Sequence, residues 1–179
     1  MVVSLSHKSG MGLSDGVVSE LTVLWTVRPG HEEQLRAACK RLIDVVRSDA
    51  RATQKTGLRD IRVAMVEDDR RLLLATNFES DWDAYVRDIA MTFGADALAD
   101  VFQHLEGFDR QALDGTGRFF QAHQVQATGY WNGLSDATVP QIRKALRLEE
   151  AFQQVLNDPA AAQALQHPAL KPLLDQAAD

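Results

Sequence analysis

Leu21-Thr22-Val23-Leu24-Trp25-Thr26-Val27-Arg28-Pro29-Gly30-His31-Glu32-Glu33 changes its periodicity in the middle. From Leu21 to Val27 the residues are β-branched, aromatic or aliphatic, and Thr22 and Thr26 alternate against Leu21, Val23, Trp25 and Val27. This is the pattern of a half-buried strand. Pro29-Gly30 ends it, since proline gives no N–H to a ladder and glycine admits the turn. Helical spacing then takes over: Leu35, Ala38, Cys39, Leu42, Ile43, Val46 and Ala50 predict a helix from about His31 to Ala50. Glu32 and Glu33 in its first turn, with Arg47 and Arg51 near its end, complement the helix dipole.

Working outward, Gly57 breaks the chain, and Leu58–Val66 reads as a second strand with Ile61, Val63 and Met65 on one face. The polar run Glu67-Asp68-Asp69-Arg70 turns it into a third, antiparallel strand, Arg71–Phe78. Glu79-Ser80-Asp81 offers an N-cap for a helix over Trp82–Phe93, with Trp82, Tyr85, Val86, Ile89 and Phe93 on one stripe. Gly94 interrupts it. A further helical stretch, Asp96–Leu105, stops at Gly107. After a loop at Asp114–Gly117, Phe119–Trp131 reads as a long fourth strand. Ser135 or Asp136 then caps a helix with Pro140 in its first turn. That helix ends at Asn157-Asp158-Pro159, and short helices follow.

The order β-α-β-β-α-β is the ferredoxin-like split βαβ arrangement, of class α+β. Residues 1–18 are expected to be a flexible tail, 19–134 the ferredoxin-like domain, and 135–179 a C-terminal helical extension. Two helices cover one face of the sheet. The other face is left open, and an open apolar face marks an association surface. Two copies packed sheet to sheet make a dimeric α+β barrel, so a homodimer is expected.

With 179 residues and a net charge of −6, the chain is an acidic globular protein whose basic residues are scattered, which argues against nucleic-acid binding. The single cysteine, Cys39, allows no internal disulfide and fits a reducing cytoplasm. The apolar start, Met1–Leu5, is too short for a signal or membrane segment. Gly10, Gly12 and Gly16 lack the flanking strand and helix of a phosphate loop.

Val27-Arg28-Pro29-Gly30-His31-Glu32-Glu33 resembles the strand-turn-helix opening of dimeric α+β barrel proteins. Leu72 to Tyr85 with Glu106-Gly107-Phe108, and Ala122-His123-Gln124-Val125 with Tyr130-Trp131, resemble a bacterial subgroup of that superfamily without an agreed activity. The resemblance covers roughly Leu21 to Ile142. It implies a shared fold with cofactor-free monooxygenases, small isomerases and cyclases, haem proteins and ligand sensors, so it does not select a function. The haem branches usually hold two such units per chain, and one is found here.

Three residues are candidates for chemistry. His123 reads as a general base, as an axial ligand, or as an edge histidine bonded to the sheet. Arg62 interrupts the apolar alternation of the second strand, and Asn77 lies near the end of the third. If the gap between helices and sheet holds a ligand, Arg62, Asn77 and His123 orient an anionic or quinone-like group; otherwise they belong to a solvated edge or a dimer seam. His104 reads as a boundary side chain and His31 as exposed. No metal spacing occurs. Trp25, Tyr85, Phe93, Phe102, Tyr130 and Trp131 supply aromatic lining, and Cys39 should be inert.

The leading expectation is an enzyme without cofactor, a monooxygenase, isomerase or cyclase, acting on a small hydrophobic ligand. One alternative is a haem protein with His123 or His104 as axial ligand. The other is a non-catalytic interaction module whose tail leucines, Leu165, Leu170, Leu173 and Leu174, dock on a partner.

Overall fold

Residues 12–48, 57–79, 81–109 and 116–177 are described by a computed structural model. The sheet has two short residues in β1 (Ser14–Asp15) and three long strands: β2 (Val18–Thr26), β3 (Leu58–Val66) and β4 (Arg71–Phe78). All pairings are antiparallel, in the order β1-β2-β4-β3. The register sets Leu21, Thr76 and Ile61 in one cross-strand row, Val23, Leu74 and Val63 in the next, and Trp25, Leu72 and Met65 in a third. Because side chains alternate between faces, the intervening rows carry Glu20, Asn77 and Asp60, then Thr22, Ala75 and Arg62, then Leu24, Leu73 and Ala64. The first set belongs to the hydrophobic core and the second points to the other face.

Three helices pack on the core face: α1 (Glu32–Ser48), α2 (Trp82–Phe93) and α3 (Ala95–Phe102). Leu35, Ala38, Cys39 and Leu42 are the buried stripe of α1, which is the stripe its spacing predicts. Gly94 separates α2 from α3 at φ 81°, a left-handed conformation that glycine adopts without steric cost. The α+β class and the ferredoxin-like order of strands and helices are thus present from β2 through α3.

The last strand differs. Phe119–Trp131 was expected to be a long fourth strand; instead α4 (Thr116–Ala122) forms, and the chain beyond it meets β2 only at the Val23–Gln124 bridge. The reason lies in the outer edge of β2, which three separate segments share. Glu20 N–H donates to the Leu13 carbonyl, Leu24 N–H to that of His123, and Glu106 N–H to that of Thr26. No continuous edge remains for a long strand. Phe119 and Phe120, adjacent on α4, both pack on the Trp25 ring, with centroids 5.6 and 5.2 Å away.

Within the stretch expected to be a tail, residues 13–15 pair with β2. Leu13 N–H donates to the buried Glu20 carboxylate at 3.0 Å, and a Cβ on Gly12 would collide with the Glu20 carbonyl. Residues 1–11 lie outside the described residues.

A polar clasp fixes the segment after α4. Arg59 and Glu79 form an ion pair at 2.8 Å, with side chains 9% and 8% exposed. Arg59 also donates to the Leu134 carbonyl at 3.0 Å and to that of Ala137, while Glu79 accepts from Val139 N–H at 2.6 Å.

The chain divides into two compact units, Met1–Val139 and Pro140–Asp179. The second is helical: α5 (Val139–Leu156), a 3-10 turn, α6 (Ala162–Leu165), a second 3-10 turn and α7 (Lys171–Ala177). α5 starts at Val139, so Ser135 and Asp136 lie ahead of its first turn rather than capping it. None of its residues is buried.

Candidate functional site

An apolar cavity of about 30 Å³ lies between the sheet and helices α2 and α3. Ile61, Val63 and Leu74 line it from the sheet, Ile89 and Phe93 from α2, and Val101 from α3. Its hydroxyl groups are those of Thr76 and Tyr85. The Thr76 hydroxyl donates to the Asp60 carbonyl at 2.8 Å and lies 2.9 Å from the Tyr85 hydroxyl. A hydroxyl has one proton, so Tyr85 is the donor to Thr76, and the lone pairs of the phenol oxygen remain available. The Tyr85 ring stacks on Phe78 with centroids 4.0 Å apart. Burial pushes its phenol well above the ordinary tyrosine range, and the Asp60 charge adds to it. Tyr85 is therefore a neutral hydrogen-bonding group and not a base. A water needs roughly two to four polar partners, and this wall supplies two oxygens already bonded to each other, so the space favours apolar matter.

The three candidate residues do not converge here. Arg62 and Asn77 line a shallow groove on the opposite face of the sheet, with Glu20, Thr22, Asp60 and Tyr130. Asn77 donates to the Asp60 carboxylate at 2.6 Å. Strand alternation explains the placement, because Arg62 and Asn77 are one residue out of phase with the inward Ile61 and Thr76. His123 follows α4, and its Nδ1 lies 2.9 Å from the Phe119 carbonyl. A carbonyl only accepts, so Nδ1 carries the proton and Nε2 holds the lone pair of the neutral ring. His123 does not line the cavity, although Phe120 on the same helix does.

Of the expected aromatic lining, Tyr85, Phe93 and Phe102 border the cavity. Trp25 is in the core beside them and its Nε1 has no partner. Tyr130 borders the outer groove, and Trp131 is 81% exposed. Cys39 is buried, and burial raises its thiol to about 11 against the opposing charge of Arg36.

One arrangement is invisible in sequence. His31 and His104 bring their Nδ1 atoms within 3.0 Å across a separation of 73 residues. His31 is half-buried rather than exposed, and His104 is buried where a half-buried boundary side chain was expected. No local spacing signals the pair, because the contact exists only once the end of α3 returns to the start of α1.

No protein-family model and no curated protein matches the chain. Among solved structures it is similar to a Bordetella bronchiseptica protein named as a candidate antibiotic biosynthesis monooxygenase, at 15% identity and TM-score 0.39, over 50% of this chain and 85% of that one. It is similar to a conserved protein of Methanosarcina mazei Go1 at 14% identity and TM-score 0.40, over 51% and 83%. A Chloroflexus aurantiacus J-10-fl protein with the same candidate name is 15% identical at TM-score 0.37, over 51% and 85%. Likenesses this distant carry nothing about activity; the fold class rests on the sheet order and helix placement of this chain. No described helix is long and apolar enough to cross a membrane.

Proposed function

We propose that the protein binds a small hydrophobic molecule bearing one polar group in the cavity between the sheet and α2–α3. The observation that carries this reading is an apolar interlayer space bordered by the mutually bonded hydroxyls of Thr76 and Tyr85. At about 30 Å³ the space is a seed, and entry of a larger ligand requires α2 and α3 to part from the sheet. Gly94, where an added Cβ would meet nothing, supplies the hinge.

The enzymatic form of this reading is cofactor-free turnover of that ligand by a monooxygenase, isomerase or cyclase. Such chemistry needs a base, and among the described cavity residues there is none. His123, just past the helix whose Phe120 lines the cavity, has a bare Nε2 and takes that role in the proposal. The residues do not fit haem: neither His123 nor His104 lines the cavity, and the space is far below the volume of the macrocycle.

The test is native mass spectrometry of the purified protein with 1-naphthol as probe. Saturable one-to-one binding, lost in Val101→Phe and kept in His123→Ala, is the expected result. Binding untouched by Val101→Phe overturns the site.

We further propose a homodimer through the sheet face opposite the cavity. Its support is the half-exposed Leu24, Leu73 and Ala64 row in the middle of that face. Light scattering should give twice the chain mass, reduced to one chain in Leu73→Glu. The interaction-module reading is favoured by the C-terminal unit, where the tail leucine Leu173 is 45% exposed. It predicts that truncation after Leu156 breaks association and leaves the first unit folded.

A further inference from the structure

His31 and His104 face each other through the same ring atom, Nδ1, at 3.0 Å, with the rings tilted 62°. A nitrogen–nitrogen hydrogen bond needs one protonated and one bare partner. The neutral pair therefore contains one imidazole with its proton on Nδ1 and one with its proton on Nε2. A first added proton goes to the free Nε2 of the donor ring, and the bond persists with a charged donor. A second must go to the bare Nδ1 of the acceptor ring, where two N–H groups would then point at each other. The contact cannot survive that state.

Backbone hydrogen bonds also hold both sides of the contact. His31 N–H donates to the Arg28 carbonyl and its carbonyl accepts from Leu35 N–H at the start of α1. His104 accepts through its carbonyl from Arg28 N–H, and the Arg28 guanidinium donates to the carbonyls of Leu105 and Phe108. The ring contact adds a direct tie between the start of α1 and the segment just beyond α3. Among the described residues, the charged groups acting on His104 are His31 and Arg28 from the β2–α1 turn, Arg41 from α1 and Asp100 from α3. Arg28 and Arg41 oppose a charge on His104 and Asp100 favours it. Arg41 and Asp100 are themselves paired at 2.7 Å.

We propose that His31 and His104 form a proton-operated latch between α1 and α3, closed with zero or one added proton and opened by the second. Val101 and Phe102, just before His104, line the interlayer cavity, so opening the latch loosens one wall of that cavity. The latch is a property of the folded chain and holds whether or not the cavity takes a ligand. Burial and the His31 charge, both of which lower the affinity of His104 for a proton, place the opening on the acid side of the ordinary histidine range.

The experiment is nitrogen-15 NMR of the histidine rings with native-state hydrogen exchange on the full-length protein, run from about pH 7.5 to about pH 5. At the upper end one of the two rings should be protonated on Nδ1 and the other on Nε2. Toward the lower end the protection factors of the Gln103–Glu106 amides should fall about tenfold more than those of β4, as both rings become charged. In His31→Ala the same amides should show reduced protection with no acid step. His31→Gln serves as a second variant, since its amide can still donate to His104 and should preserve protection while removing the acid step. Two Nε2–H rings at neutral pH, or wild-type protection at residues 103–106 that does not change on acidification, overturn the latch.

Discussion

Replacing Val101 by isoleucine adds one methylene at the wall of a cavity of about 30 Å³, close to the volume such a group needs. Val101 is 1% exposed on α3, so the added carbon has no route to solvent. If it drops into the empty space, burial of one CH₂ stabilises the fold by about 0.8 kcal/mol. With a urea dependence of about 1–3 kcal/mol per molar, the unfolding midpoint rises by roughly 0.3–0.8 M. Trp25 and Trp82 are buried beside this layer, so tryptophan fluorescence follows the transition. The same methylene removes the space in which a ligand begins to insert. Forcing an extra group into a filled core costs about 1–3 kcal/mol, so affinity for 1-naphthol should fall about tenfold. Stability and binding must therefore move in opposite directions. A lowered midpoint would mean the site is already full, and an unchanged affinity would mean that the ligand binds elsewhere; either result refutes the reasoning.

Glu79→Ala removes the partner of a buried guanidinium and an acceptor of Val139 N–H, and should destabilise by about 3–5 kcal/mol in urea unfolding, whereas exposed Lys171→Ala should cost less than about 1 kcal/mol. Cys39, with its thiol raised to about 11 by burial, should not react with a disulfide reagent at mildly alkaline pH until urea unfolds the chain. His104 is held below the ordinary histidine range first by burial and then by the His31 charge, so as pH falls the unfolded chain takes up its proton before the folded one does. Stability from this group is complete above about pH 6.5 and declines as pH drops below it; urea midpoints measured across that range should fall in the wild type and less in His104→Phe.

Strand and helix periodicity carried most of the first unit. β2, β3, β4 and α1 are where alternation and helical spacing place them, because each buries one face and the pattern records which. The strand expected over Phe119–Trp131 failed because two adjacent phenylalanines satisfy a strand pattern as well as a short helix, and the competition for the β2 edge is a tertiary fact. The candidate site was legible only in part. Tyr85, Phe93 and Phe102 were recognisable as lining, since the stripe that buries them also borders the cavity. For Arg62 and Asn77 the cavity and the solvated edge both stayed open, because polarity in a strand marks an exception without saying which way it points; they line the groove on the face opposite the cavity. The contact between His31 and His104 depends on where α3 ends relative to α1, which no single segment encodes.

The most direct test is methyl NMR of the selectively labelled protein titrated with 1-naphthol. The account predicts saturable shifts at Ile61, Val63, Ile89 and Val101, which line the cavity, with Leu24 and Leu73 on the opposite face unmoved. Shifts confined to Leu24 and Leu73, or none at any of these methyls, would contradict it.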